Sequence, residues 1–224
     1  MALKKKYIPW IIIGAVLFLD QLTKILVKTN MTLGQNIYVF GEWFIIHFTE
    51  NEGMAFGMSL PGQYGKLALS VFRIIAVGFI GWYIYKLLEK NATTLLIVSV
   101  SLILAGAAGN IIDSAFYGLI FTESRWNETA QFMGEAGGYA GFLHGKVVDM
   151  LYFPIIHGTF PSWFPFWGGQ EFIFFRPVFN IADAAITIGV LIILVFQKRI
   201  FPHHHMEKKP EKAEVEDAVS TDKK

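Results

Sequence analysis

Four stretches of the chain, roughly 7–27, 67–88, 94–119 and 177–197, are apolar almost without interruption. A hydrocarbon core of ~30 Å takes about 20 helical residues to cross, so each stretch predicts a membrane-spanning helix. Between the first two, residues 28–65 change to a two-residue alternation, in Asn36-Ile37-Tyr38-Val39-Phe40 and again from Trp43 to Phe48, with glycines between. That period predicts short strands. The second long connection, 120–176, has a polar, glycine-rich part and an aromatic part containing Trp163, Phe164, Phe166, Trp167, Phe172, Phe174 and Phe175, a composition suited to the membrane interface. The predicted fold is an all-α membrane protein. It has four transmembrane helices, a small outer β element after helix 1, and an interfacial or capping segment before helix 4. One domain covers residues 1–200, and the Lys/Glu-rich stretch 201–224 is predicted to be a disordered tail.

Charge gives this arrangement a direction. Lys4, Lys5 and Lys6 precede the first span, Lys86 and Lys90 flank the second-to-third connection, and Lys198 and Arg199 follow the fourth. The positive-inside rule then places both termini in the cytoplasm. The first apolar run is too long for a cleaved signal peptide, holds Asp20 and Lys24, and lacks an A-x-A site. It reads as an uncleaved span.

Composition narrows the chemistry. Hydrophobic residues make up 54% of 224, with a mean hydropathy of +0.45, above the ~45–50% apolar content of soluble domains. The absence of cysteine excludes disulfides, thiolate nucleophiles, thiolate metal sites and S-acylation. A net charge of +1, spread over ends and short loops, leaves no nucleic-acid footprint. His203, His204 and His205 have no accompanying HExxH motif, and His47, His144 and His157 show no ligand spacing. No metal or cofactor is implied.

Against this background the acids Asp20, Glu52, Asp113, Asp149 and Asp183 stand out, in or beside apolar stretches. A carboxylate at bilayer depth costs on the order of 3 kcal/mol or more, so such residues usually face a polar cavity. At ~1.5 Å per residue, Asp20 lies ~20 Å and Asp113 ~29 Å into outward-running helices. Asp183 lies ~9 Å into an inward-running one, and Asp149 precedes it on the outer connection. The acids therefore gather near the outer leaflet. Two aspartates close together in a partly dehydrated site share a proton, which allows one to act as general base and the other as general acid. Asp149 and Asp183 are the candidate pair, although from spacing alone each reads equally as a satisfied acid at a helix end. Asp20 and Lys24, four apart, read as an ion pair on one helix face, and Arg73 as a side chain that snorkels outward.

Five motifs in order resemble the lipoprotein signal peptidases (signal peptidase II), a family of membrane aspartic peptidases. They are Asp20-Gln21-Leu22-Thr23-Lys24, Asn51-Glu52-Gly53-Met54-Ala55-Phe56-Gly57, Gly109-Asn110-Ile111-Ile112-Asp113, Val147-Val148-Asp149 and Phe179-Asn180-Ile181-Ala182-Asp183. The resemblance covers about residues 7–197. It implies that Asp149 and Asp183 activate water, that Asn51 and Gly53 belong to an active-site loop, and that Asn110, Asp113 and Asn180 form a supporting polar shell. Asp20 and Lys24 become structural. The implied function is removal of the signal peptide of prolipoproteins by cleavage before a diacylglyceryl-modified Cys. The implied setting is the bacterial inner membrane, with membrane lipids as further partners and a monomer sufficient to enclose the site.

Two departures from the family pattern accompany the resemblance. Ser114 stands where the family usually has Arg, leaving Arg125, Lys146 and Arg176 as possible substitutes, and the segments on either side of Asp149 are longer than expected. Those insertions are expected to form an outer cap. A proton- or ion-coupled carrier is the rival from another class, but the acids gather on one side and no repeat is visible. A noncatalytic membrane chaperone of the same fold is a further alternative.

Overall fold

A computed structural model describes residues 4–52, 63–135, 137–174 and 176–201. One 3-10 turn, Lys5–Tyr7, leads into helix α1, Ile8–Asn30, with Pro9 in the first turn, where its missing N–H removes no helical bond. Strands β1, Asn36–Phe40, and β2, Phe44–Asn51, pair antiparallel. Helix α2, Gln63–Glu89, is followed by α3, Thr94–Ile112, whose first turn is capped by the Thr93 side chain accepting from the Leu96 N–H at 3.4 Å. The α3 helix continues through a π-helical turn, Asp113–Tyr117, into a last turn α4, Gly118–Ile120. Strands β3, Val147–Tyr152, β4, Ile156–Thr159, β5, Glu171–Phe174, and β6, Val178–Phe179, precede helix α5, Ile181–Val195, and a short α6, Gln197–Ile200.

The fold is not purely helical, which corrects the all-α prediction. β1, β2, β3 and β6 form one antiparallel sheet in the order β1-β2-β3-β6, so the hairpin after α1 is extended by strands from the segment before α5. Thr49 lies opposite Asp149, Asn51 opposite Val147, and Leu151 opposite Phe179. Alternation does not reveal β3, because Val147 to Met150 are buried in succession. A strand covered on both faces reads as one apolar run.

Among the described residues three helical stretches are long and apolar enough to cross a membrane: Lys5–Asn30, Leu67–Glu89 and Thr94–Ile120. The fourth apolar run yields the shorter Ile181–Val195, because Val178 and Phe179 pair in the sheet and Asn180 caps the helix that follows. Large apolar side chains cover the outside of these helices, with Trp10 72%, Phe72 67% and Val195 70% exposed. Such a surface fits lipid rather than water.

α3 is the most buried of the three long helices, and it packs against α1, α2 and α5. Close approach to α5 and to α1 depends on glycine: a Cβ at Gly106 would lie 2.2 Å from the Ala182 carbonyl oxygen of α5, and one at Gly109 would lie 2.7 Å from Asp20 Oδ2 of α1. Small residues at such positions let helix backbones meet. One apolar cluster, Ile84, Leu87, Leu96, Ile97, Val100 and Ile200, joins α6 to the α2–α3 turn. Lys5 Nζ donates to the Ala92 carbonyl at that turn, at 2.9 Å. A second cluster, Val27, Met31, Phe48, Tyr117, Phe121, Val148 and Met150, joins the end of α1 and the π turn to the sheet.

The aromatic stretch forms its own two-stranded unit, β4 with β5. Phe160 stacks on Phe164 and packs against Phe172, with centroids 5.1 and 4.8 Å away, while Phe166 is 92% exposed. Of the expected tail, 201–224, residues 202 onward, including His203 to His205, lie outside the described residues.

Candidate active site

Asn180 is the residue around which the polar groups converge. As N-cap of α5 its side-chain oxygen accepts from the Asp183 N–H at 2.9 Å, and Asp183 Oδ2 in turn accepts from the Asn180 N–H at 3.4 Å. This reciprocal capping box satisfies the free donors of the helix start and fixes the orientation of Asp183. The Asn180 amide nitrogen points away from the helix and lies 2.7 Å from Asp149 Oδ1, 3.1 Å from Asn110 Oδ1 and 3.3 Å from the Val148 carbonyl. Asn110 completes the circuit by donating to Asp183 Oδ1 at 2.8 Å. Asp149 and Asp183, 34 positions apart in sequence, thus share one amide side chain.

Their surroundings differ. Asp149, in β3, is 4% exposed and accepts from Asn180 and from Asn51 Nδ2 across the β2–β3 pairing. Burial, reinforced by the charge of Asp183, pushes its carboxyl up to about 7. A carboxyl in that range exchanges a proton readily at neutral pH. Asp183 is half-buried and stands in the first turn of α5.

Beneath the pair lies a buried ionic network. Lys24 Nζ contacts Asp20 Oδ2 at 2.9 Å, Asp113 Oδ2 at 2.8 Å and Asn110 Oδ1 at 2.9 Å. The pairing with Asp20 has the predicted spacing of four, but Lys24 also crosses to α3, so the pair joins two helices rather than decorating one surface. Asp20 Oδ1 accepts from the Ala182 N–H at 2.9 Å, attaching α1 to the start of α5. Asp113 accepts from Gln21 Nε2 at 2.9 Å and from the Val148 N–H at 3.3 Å, which positions β3 one residue before Asp149. The π turn brings Tyr117 to the same face, and its hydroxyl donates to Gln21 Oε1 at 3.2 Å. An added residue in a helical turn often serves such re-aiming.

The structure brings Asp20, Lys24, Asn51, Asn110, Asp113, Asp149, Asn180 and Asp183 together through these contacts. Gly53 lies outside the described residues. Ser114 is buried, with Oγ donating to the Asn110 carbonyl at 3.1 Å and its own carbonyl accepting from Gly145 N–H at 2.8 Å. Of the cations considered in its stead, exposed Arg125 pairs with Glu123 at 3.8 Å, Lys146 approaches Glu50 at 4.0 Å, and Arg176 is exposed.

Sequence reasoning passed over a second buried cluster. Lys28, one turn beyond Lys24, pairs with Glu50 and donates to Ser124 Oγ at 2.8 Å; the Ser124 hydroxyl also lies 2.8 Å from Glu50 Oε1. Lys28 sits over the Tyr139 ring at 5.0 Å from its centroid. The spacing of four from Lys24 was the available signal. Glu50 adjoins Asn51 on β2, so the cluster anchors the strand that presents Asn51 to Asp149. Among the described residues no group of three or more His, Cys, Asp or Glu side chains is arranged to hold a metal ion.

A multi-pass bundle with carboxylates gathered where helix meets sheet fits the class that the five motifs resemble, the membrane aspartic peptidases. The family described as signal peptidase (SPase) II matches residues 12–198. The chain belongs to that signal peptidase II family. A lipoprotein signal peptidase of Porphyromonas gingivalis is 53% identical over 189 residues, covering 84% of this chain and 81% of that protein. One from Amoebophilus asiaticus is 41% identical over 181 residues, covering 79% and 72%. A solved structure described as a bacterial membrane enzyme, determined by the in meso method at 2.3 Å resolution, superposes with a TM-score of 0.56 at 25% identity, covering 90% of this chain and 94% of that one.

Proposed function

We propose that Asp149 and Asp183 are the catalytic pair with which this peptidase removes the signal peptide of prolipoproteins, cutting before the diacylglyceryl-modified Cys. The observation that carries the reading is the Asn180 side chain, bonded to Asp149 and capping the helix of Asp183. The Asp149 carboxyl, raised to about 7 by burial, holds or releases a proton at neutral pH. The ionised member takes a proton from water as the new C–O bond forms, and the protonated member supplies the proton that leaves with the amine. Asn51, Asn110 and Asn180 orient the pair, Asp113 positions β3, and Asp20 with Lys24 joins the helices beneath. By its motif, Gly53 is assigned to the same active-site function as Asn51.

The same reading sets the pair toward the outer face of the inner membrane, with both termini cytoplasmic. Lys5, the α2–α3 turn and α6 cluster at one end of the bundle, the sheet and π turn at the other, and an excess of lysine and arginine marks the cytoplasmic end. The exposed aromatic rings of the β4–β5 hairpin suit the lipid interface, and the hairpin is assigned the role of an outer cap. Four helices enclose the pair within one chain, so the active unit is a monomer.

The test is cleavage of a purified diacylglyceryl-modified prolipoprotein by wild type, Asp149→Asn and Asp183→Asn in detergent or lipid. Cleavage before the lipidated Cys, lost in both variants while each remains folded, is the expected result. Full activity in either variant would overturn the pair, and a folded wild type without cleavage would return weight to the carrier or chaperone alternatives.

A further inference from the structure

The cluster of Lys28, Glu50 and Ser124 takes no part in the proton transfers described above, yet it keeps two charges away from water: the side chains of Lys28 and Glu50 are 0% and 4% exposed. A buried ion pair repays its desolvation only when its remaining hydrogen-bonding groups are satisfied as well. Ser124 does that for both partners, its hydroxyl accepting from Lys28 Nζ and donating to Glu50 Oε1, each at 2.8 Å. Ser124 belongs to segment 121–146, which leads from α4 to β3, and the same segment is tied to the end of α1 by the Leu33 N–H donating to the Arg125 carbonyl at 2.9 Å.

Segment 121–146 holds both strands of the site at matching positions. On β2, Ser124 and Lys28 fix Glu50, the residue before Asn51. At the start of β3, the Tyr139 hydroxyl accepts from the Lys146 N–H at 2.6 Å, the residue before Val147. Asn51 and Val147 are register partners, so the two attachments meet where Asn51 donates to Asp149. The Tyr139 ring joins them, with Lys28 Nζ 5.0 Å and Lys146 Nζ 5.7 Å from its centroid. Successive residues of a strand point to opposite faces, so Glu50 is held from the face of the sheet opposite Asn51.

We propose that segment 121–146 is a working part of the site and that Glu50 is a positioning residue of the reaction: held by Lys28 and Ser124, it sets β2 so that the Asn51 amide meets Asp149. This rests on the catalytic pair proposed above. β2 needs the fastening because its pairing with β3 is irregular between Ile46 and Thr49, so the ladder alone does not carry the register of the hairpin as far as Asn51. A displacement of about 1 Å in a group that orients the reacting atoms is enough to cost on the order of 100-fold in rate.

The experiment is a mutant cycle on the full-length chain: wild type, Lys28→Met/Glu50→Gln, Asn51→Ala and the three substitutions combined, each cleaving a purified diacylglyceryl-modified prolipoprotein. Slow variants are followed in single turnover with enzyme in excess. Removing both charges together strands neither. Relative to wild type, Lys28→Met/Glu50→Gln is expected to lose about tenfold in kcat with KM within about twofold. In the Asn51→Ala background the same change is expected to cost less than about twofold, because an amide that is already missing cannot be misplaced. The same fold loss in both backgrounds, a loss through KM alone, or no loss overturns the proposal and leaves the catalytic pair intact. Failure of folded wild type to cleave overturns the pair itself. Should the charge-free variant not fold, Ser124→Ala carries the cycle with both charges in place; its expected loss is about threefold, again confined to the background that keeps Asn51, and the same outcomes overturn the proposal.

Discussion

The Asn180 side-chain nitrogen lies 2.7 Å from Asp149 Oδ1, while its side-chain oxygen caps the helix that begins beside Asp183. One residue thus has a mechanical duty toward α5 and an electrostatic duty toward β3. Asn180→Ala is expected to lose about 1 kcal/mol of stability through the cap but far more than the corresponding fivefold in turnover. Thermal unfolding and prolipoprotein cleavage measured on the same preparation would separate the two; equal losses would reduce Asn180 to a cap.

Hydrogen bonds from Asn180 and Asn51 both act to lower the proton affinity of Asp149, against the larger effect of burial that leaves its carboxyl at about 7. Removing one donor raises it further. In Asn51→Ala the alkaline limb of kcat/KM is therefore expected to shift to higher pH, alongside a lower maximum. A limb that stays fixed or moves down would disconnect it from Asp149.

Stability carries the same signature with its own sign. A carboxyl raised from 3.8 to about 7 in the folded protein binds more protons folded than unfolded between those values, so its contribution is fully present below the lower one and is lost as pH rises through the upper. Asp149→Asn cannot ionise. Its unfolding midpoint is expected to exceed that of wild type at pH 8 and to approach it at pH 5. A pH-independent difference would contradict the raised affinity.

Lys24 balances two buried carboxylates, and removing one partner of a buried ion pair costs about 3–5 kcal/mol. Lys24→Met should lose stability on that scale, with part recovered in Lys24→Met/Asp20→Asn, where one fewer charge is stranded. Additive losses in denaturant titrations of the single and double variants would mean that the pair is energetically uncoupled.

At Gly106 a methyl group has nowhere to go: its position is 2.2 Å from a backbone oxygen of Ala182. Gly106→Ala must push α3 from α5, at about 1–3 kcal/mol as for other overpacked sites, and must lengthen the Asn110–Asp183 contact. Cleavage should fall more than stability. Wild-type activity in this variant would show that the pair tolerates helix displacement.

How much of this could be read from the chain follows from where the determining contacts lie. α1, α2 and α3 were legible because each carries its apolar run unbroken, and the five motifs marked the positions the structure gathers. The start of α5 was missed by a few residues because Val178 and Phe179, apolar enough to extend a helix, are held as β6 by Leu151 and Tyr152. β3 was hidden by being buried on both faces. The π turn has no periodic signature.

The bond from Asp20 to the Ala182 amide spans 162 positions. During synthesis the first helix therefore waits for nearly the whole chain before its carboxylate finds that partner, and the site cannot close until α5 has been made and inserted. A chain that ends between Asp149 and Asn180 holds one carboxylate of the proposed pair without the other or the amide between them. On that proposal, hydrolytic capacity is withheld from any product that ends before α5 and appears only once that helix is in place.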